Sequence, residues 1–145
     1  MPNWTERWPE SLALRGRRVL IVEDEVFTSL DLAFTFETAG AEVAGATTVR
    51  AALAMIEKMG RGTPFDVALL ELRVRDGVTE PVMELLECFD IPYLVYTGDI
   101  QSSGSNAGTG LLGVRVINKP QLPELVAVAT AQAMKAYARE RLIVH

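Results

Sequence analysis

The chain's apolar and polar positions follow two alternating periods. Continuous apolar runs, most of them ending in a charged or polar residue, fall at "RRVLIVE" (17–23), "AEVAGA" (41–46), "FDVALLEL" (65–72), "IPYLVYT" (91–97) and "VRVIN" (114–118). Runs of this length predict strands buried on both faces. Between them, apolar residues recur three and four apart, which predicts helices. The segment 26–40 carries Phe27, Leu30, Ala33 and Phe34 at helical spacing and stops at Gly40. The segment 47–60 has a threonine cap, apolar Ala52, Met55, Ile56 and Met59, and a glycine stop. The segment 79–89 starts with Thr79 as cap and Pro81 in its first turn, and 122–142 presents an Ala/Val/Leu face. Cys88, beside Leu85 and Phe89, reads as a core residue.

Five strands alternating with helices predict an α/β fold: one five-stranded parallel sheet with helices on both faces. With 145 residues, 49% of them hydrophobic, the chain suffices for one domain with a substantial core. Residues 1–16 read as an extension ahead of the domain, which spans 17–142. Trp4 and Trp8 lie four apart, so a short helix there sets both on one face, to cover the chain's own surface or to dock on a second protein.

Charge and the rarer residues exclude several functions. A net charge of -5 argues against nucleic acid as partner. One cysteine and one histidine (His145, a tail residue) leave no disulfide and no Cys/His metal cluster. No apolar run is long enough to span a membrane and no signal peptide is visible, so the expectation is a cytoplasmic protein without a membrane partner.

In parallel sheets the site lies beyond the carboxyl ends of the strands. There the sequence places Glu23, Asp24 and Glu25 after the first strand and Glu71 after the third. Thr97 and Gly98 follow the fourth, and Lys119 with Pro120 the fifth. Adjacent carboxylates call for a cation. Their oxygens suit a hard ion such as Mg²⁺, and a hydroxyl with an ammonium suits a phosphoryl group.

The order "VLIVEDE", "DVALLEL", "YLVYTG", "INKP" resembles the receiver domain of two-component response regulators, a flavodoxin-like (βα)5 fold, from about residue 17 to 139. The resemblance implies a non-enzymatic signalling protein. It implies that Glu23 and Asp24, with the backbone carbonyl of Arg73, hold Mg²⁺. It puts Glu71 at the phospho-acceptor position, Thr97 at the switch hydroxyl, Lys119 at the phosphate-pairing lysine and Pro120 on a cis-prone bond.

Three features depart from the family. Glu71 stands where the family has aspartate, and the extra methylene moves the carboxylate by roughly a bond length. In-line transfer tolerates little misplacement, about 10²-fold in rate per ångström. A longer carboxylate also reaches toward Lys119 or Thr97. The loop "RVRDG" is highly charged, so Arg73 or Arg75 is a candidate stand-in for the metal, whereas Asp76 is too far from the strand end to replace the acceptor. The stretch 98–113, with five glycines and three serines, predicts a short, frayed or missing fourth helix. Val116, three residues before Lys119, occupies the position of the family's switch aromatic.

These departures favour an atypical, stand-alone receiver without an output domain, acting through another signalling protein (a histidine kinase or an output protein) and not phosphorylated at Glu71. Mg²⁺ is then optional. The alternative is a phospho-accepting receiver with weakened Mg²⁺-dependent transfer. An enzyme on a flavodoxin-like sheet is disfavoured, because the first strand–helix loop lacks a phosphate-cradling turn. The Ala-rich last helix and the tryptophan extension are the candidate homodimer surfaces.

Overall fold

The computed structural model describes residues 4–60, 62, 64–98 and 115–144. A short helix α1 (Trp4–Arg7) and a 3₁₀ turn (Pro9–Leu14) lead into β1 (Arg18–Val22). There follow α2 (Val26–Thr38), β2 (Glu42–Ala46), α3 (Val49–Gly60) and β3 (Val67–Leu70). A small ribbon of β4 (Arg73–Val74) and β5 (Gly77–Val78) precedes α4 (Glu80–Cys88), β6 (Tyr93–Thr97), β7 (Arg115–Asn118) and α5 (Pro123–Val144). The large sheet is parallel, in the order β2-β1-β3-β6-β7. The chain moves outward from β1 to β2, then returns to the other side of β1 at β3. The carboxyl ends of β1 and β3 therefore border the switch point, where such sheets bind ligands.

Alternate side chains of each strand point to opposite faces. Leu20, Val22, Ala68, Leu70 and Val95 pack with Ala52 and Ile56 of α3 and with Val82, Met83 and Leu86 of α4. Val19, Ile21, Val67, Leu69, Leu94 and Tyr96 pack on the other face with Leu32 and Phe36 of α2 and with Val126, Ala127 and Ala131 of α5. Leu14, from the 3₁₀ turn, is fully buried in this second cluster, and Trp4 packs against it. At Gly40 the chain turns with φ +93, and a Cβ there would press on Arg15 at 3.2 Å, so glycine is required to end α2 and reach β2.

Three local expectations change. The stripe that predicts α2 faces outward: Phe27, Leu30 and Phe34 are exposed, while Leu32, Thr35 and Phe36 are buried. Cys88 is exposed, not core, because Val82, Met83 and Leu86 form the inward face of α4. Thr79 occupies the cap position of α4, but its hydroxyl does not cap the helix. It turns back instead and donates to the carbonyls of Glu71 at 2.7 Å and Leu72 at 3.1 Å. The glycine-rich stretch expected to weaken the fourth helix lies, apart from Gly98, outside the described residues, as does His145.

Candidate functional site: a carboxylate–lysine cluster at the strand ends

The sheet ladder itself sets the spacing of the charged groups. The Glu23 amide donates to the Ala46 carbonyl at 3.0 Å, and the Glu71 amide donates to the Val22 carbonyl at 2.9 Å. Both residues thus continue the strand geometry one position past the β1 and β3 ends and stand side by side. Across the β6–β7 end, the Lys119 amide donates to the Thr97 carbonyl at 2.9 Å. Lys119 is followed by a cis bond to Pro120.

The Lys119 ammonium bridges the two glutamates. It donates to Glu23 Oε1 in a short hydrogen bond and to Glu71 Oε1 at 2.9 Å. The remaining oxygens are also engaged. Glu23 Oε2 accepts from the Glu25 amide at 3.2 Å, and Glu71 Oε2 accepts from the Leu72 amide at 2.5 Å. The cluster is well shielded, with side-chain exposures of 4% for Glu23, 13% for Glu71 and 20% for Lys119. Burial pushes the Glu23 carboxyl above its ordinary range, a shift that Lys119 partly offsets. Burial draws the Lys119 ammonium down, but its bonds to Glu23 and Glu71 outweigh that and the net direction is up. Two carboxylates this close repel one another, and the shared ammonium offsets part of that repulsion.

Tyr96 was not anticipated from the sequence as part of this site. Its buried phenol accepts from the Gln121 amide at 2.9 Å and donates to the Gln121 carbonyl at 3.3 Å, clasping the chain just beyond the cis bond. Lys119 Nζ lies 5.4 Å from the centre of its ring. The available signal was a tyrosine at a buried strand end, since a buried phenol needs a hydrogen-bond partner. Thr79 was likewise missed: by holding the Glu71 carbonyl it fixes the backbone from which the Glu71 side chain projects.

Other expected site residues stand outside the ion cluster. Asp24 is half-buried beside Glu23. Thr97 is 1% exposed at the end of β6. Val116 pairs with Val95 on the outer strand and is exposed. Arg73 and Arg75 are exposed, and the Arg73 backbone belongs to the β4–β5 ribbon, opposite Val78. Asp76 serves α3, its carboxylate accepting from the Val49 amide at 2.6 Å and the Arg50 amide at 3.1 Å. These bonds hold its carboxyl below the usual range. Thr48 supplies the expected cap of the same helix, accepting from the Ala51 amide at 3.0 Å.

Lys119 bridges Glu23 and Glu71, and among the described residues no three acidic, histidine or cysteine side chains are grouped to hold a metal.

No family model matches the sequence, and a search of curated proteins finds no match. Solved structures do match. The response regulator PhyR from Brucella abortus superposes with a TM-score of 0.76 at 25% identity, covering 97% of this chain and 57% of that one. A response regulator receiver protein from Sinorhizobium medicae gives 0.72 at 20% identity, covering 86% and 98%. The anti-anti-sigma factor PhyR from Bartonella quintana gives 0.71 at 19% identity, covering 97% and 56%. The chain thus spans little more than half the length of the two PhyR proteins. With the strand-end carboxylates and lysine in place on a five-stranded parallel sheet, the chain has the fold of a response regulator receiver domain.

Proposed function

We propose that the chain works in two-component signal transduction as an atypical receiver that acts by binding another signalling protein, with Glu71 unphosphorylated. The supporting observation is the engagement of Lys119 by both Glu23 and Glu71. Glu71 carries the longer side chain, meets the lysine directly and uses its other oxygen on the Leu72 amide. Both oxygens are thus held in hydrogen bonds that a phosphoryl donor would have to compete with, and Lys119 sits between the two carboxylates. On this reading the pocket is held in one state, and the fold presents a fixed surface. The Bartonella quintana neighbour bears the name of a protein that acts on other proteins, which agrees with this reading.

The test is intact-mass measurement after incubation with acetyl phosphate and Mg²⁺. The expected result is no added phosphoryl group on the wild-type chain or on Glu71→Ala. A phosphoryl group present on wild type and absent from Glu71→Ala overturns the proposal. Acceptance gained by Glu71→Asp would assign the loss to side-chain length alone.

A further inference from the structure

The amino-terminal segment is held to the body of the chain by side-chain packing and by few backbone bonds. The 3₁₀ turn packs against α5, and α1 packs against the 3₁₀ turn. Leu14 is fully buried in the second cluster, and Trp4 lies against it. The backbone bonds of the segment close on itself: the Trp8 amide donates to the Trp4 carbonyl at 3.1 Å, and the Ser11 amide to the Trp8 carbonyl at 3.0 Å. Among the described residues, one backbone bond ties residues 4–16 to a distant part of the chain, from the Gly16 amide to the Gly40 carbonyl at 2.8 Å.

Two polar atoms lie inside this contact without a partner. Ser11 is fully buried and its hydroxyl meets no donor or acceptor, and the Trp4 indole N–H is likewise buried and unpaired. In water both groups are hydrogen-bonded, so docking the segment forfeits those bonds and replaces neither. Among the described residues no other buried side-chain polar atom is unpaired, so the whole defect falls on this one segment.

Local structure adds little to hold it. A 3₁₀ turn has poorer hydrogen-bond geometry than an α-helix, and this one starts at Trp8 without a side-chain cap. A type II turn joins it to β1. Arg15 has φ -60 and ψ 126, Gly16 has φ +74, and the Arg17 amide donates to the Leu14 carbonyl at 3.0 Å. Such a turn is a pivot, because opening it moves the segment and leaves the β1 ladder in place.

We infer that residues 4–14 are a strap poised to open about the Leu14–Arg17 turn, held shut by Trp4 and Leu14 and biased open by the unpaired Ser11 hydroxyl and Trp4 indole N–H. Opening returns both polar groups to water and uncovers the side of α5 and of the second cluster beneath the segment. The pivot precedes β1, at the end of the sheet opposite the Glu23–Lys119–Glu71 cluster. The inference goes beyond the reading of that cluster and stands whether or not Glu71 accepts a phosphoryl group.

Amide hydrogen exchange on the full chain, followed by NMR, tests the strap. The Ser11, Arg15 and Gly16 amides are expected to exchange about 100-fold faster than the Glu71 amide after correction for intrinsic rates. Mild urea should scarcely change that opening, because it exposes little surface. Ser11→Ala removes the buried hydroxyl and should raise protection of the strap amides by about tenfold. Alanine's better helix propensity accounts for only about twofold of that. Gly16→Ala places a Cβ where nothing lies within 4 Å, so it strains only the closed turn. It should lower the same protection by about fivefold. Both variants should leave the gap to the Glu71 amide in place, since global unfolding frees the strap as well. Strap and Glu71 amides exchanging within about threefold of each other in the wild type would show that no separate opening exists. A gain of about threefold or less in Ser11→Ala would remove the hydroxyl as its cause, and unchanged protection in Gly16→Ala would remove the pivot. Any one of these results overturns the inference.

Discussion

Glu23 and Phe27 stand one helical turn apart in sequence with their usual environments exchanged. The glutamate is 3% exposed and the phenylalanine 81%. At the strand ends, charge is buried and every carboxylate oxygen of the Glu23–Lys119–Glu71 cluster has a partner. On α2, apolar side chains face water, and the charged residues of that helix are acidic. The strand-end cluster is resolved within the chain, whereas the α2 face stays exposed among the described residues. Places where local rules fail without internal compensation are where function is expected.

The sharpest way to break this comparison uses two phenylalanines on the same helix. Phe36 is fully buried and Phe34 is 70% exposed. Phe36→Ala should cost about 3–5 kcal/mol in urea unfolding. Phe34→Ala should change stability by about 0.5 kcal/mol or less. Similar losses for both would mean that the outer stripe is part of the chain's own packing.

Next in size is Lys119→Met, which leaves two shielded carboxylates without their cation. A loss of about 3 kcal/mol is expected in the same unfolding measurement, because breaking a buried pair strands its partners. Adding Glu23→Gln and Glu71→Gln should recover part of it. No loss in the single variant would mean that the cluster is solvated and contributes little.

A smaller effect is expected for Thr79→Val. The Glu71 carbonyl loses its 2.7 Å hydroxyl donor, whereas the Leu72 carbonyl keeps the Thr79 amide at 2.9 Å. About 1 kcal/mol is expected from one unmade bond, again by urea unfolding.

The smallest effect belongs to Asp76, whose cap on α3 is exposed to solvent. Its folded-state carboxyl lies below the ordinary 3.8 because the Val49 amide, and then the Arg50 amide, bind the charged form. Stability from this group is therefore present above the unfolded value and lost as pH falls through the folded one. Thermal midpoints should favour wild type over Asp76→Asn near neutrality, and the gap should close below 3.8. A gap that persists in strong acid would assign the difference to shape rather than charge.

The strands were legible because burial on both faces demands unbroken apolar runs, and β1 and β3 are buried throughout save for Arg18, at the start of β1. The strand-end cluster was legible because a parallel sheet brings its carboxyl ends together, so Glu23, Glu71 and Lys119 met as their positions predicted. The existence of α2 was legible but its orientation was not. Its sequence carries two apolar stripes, and only packing against the sheet selects Leu32 and Phe36 for the interior. Asp76 reaching α3 was beyond local pattern, since capping is normally read from residues adjacent to the helix. Tyr96 and Thr79 act through backbone carbonyls and amides, which have no side-chain signature in sequence.

The central claim is that Lys119 is committed to Glu71 and Glu23 in the resting chain. The most direct measurement follows the ¹⁵Nζ and ¹³Cε resonances of Lys119 and the carboxyl carbon of Glu71 by NMR as Mg²⁺ is added to millimolar levels. The account predicts a slowly exchanging Lys119 ammonium and resonances of both residues that Mg²⁺ leaves in place. Saturable movement of the Glu71 and Lys119 signals together would contradict it, because Mg²⁺ would then displace the lysine and open the pocket.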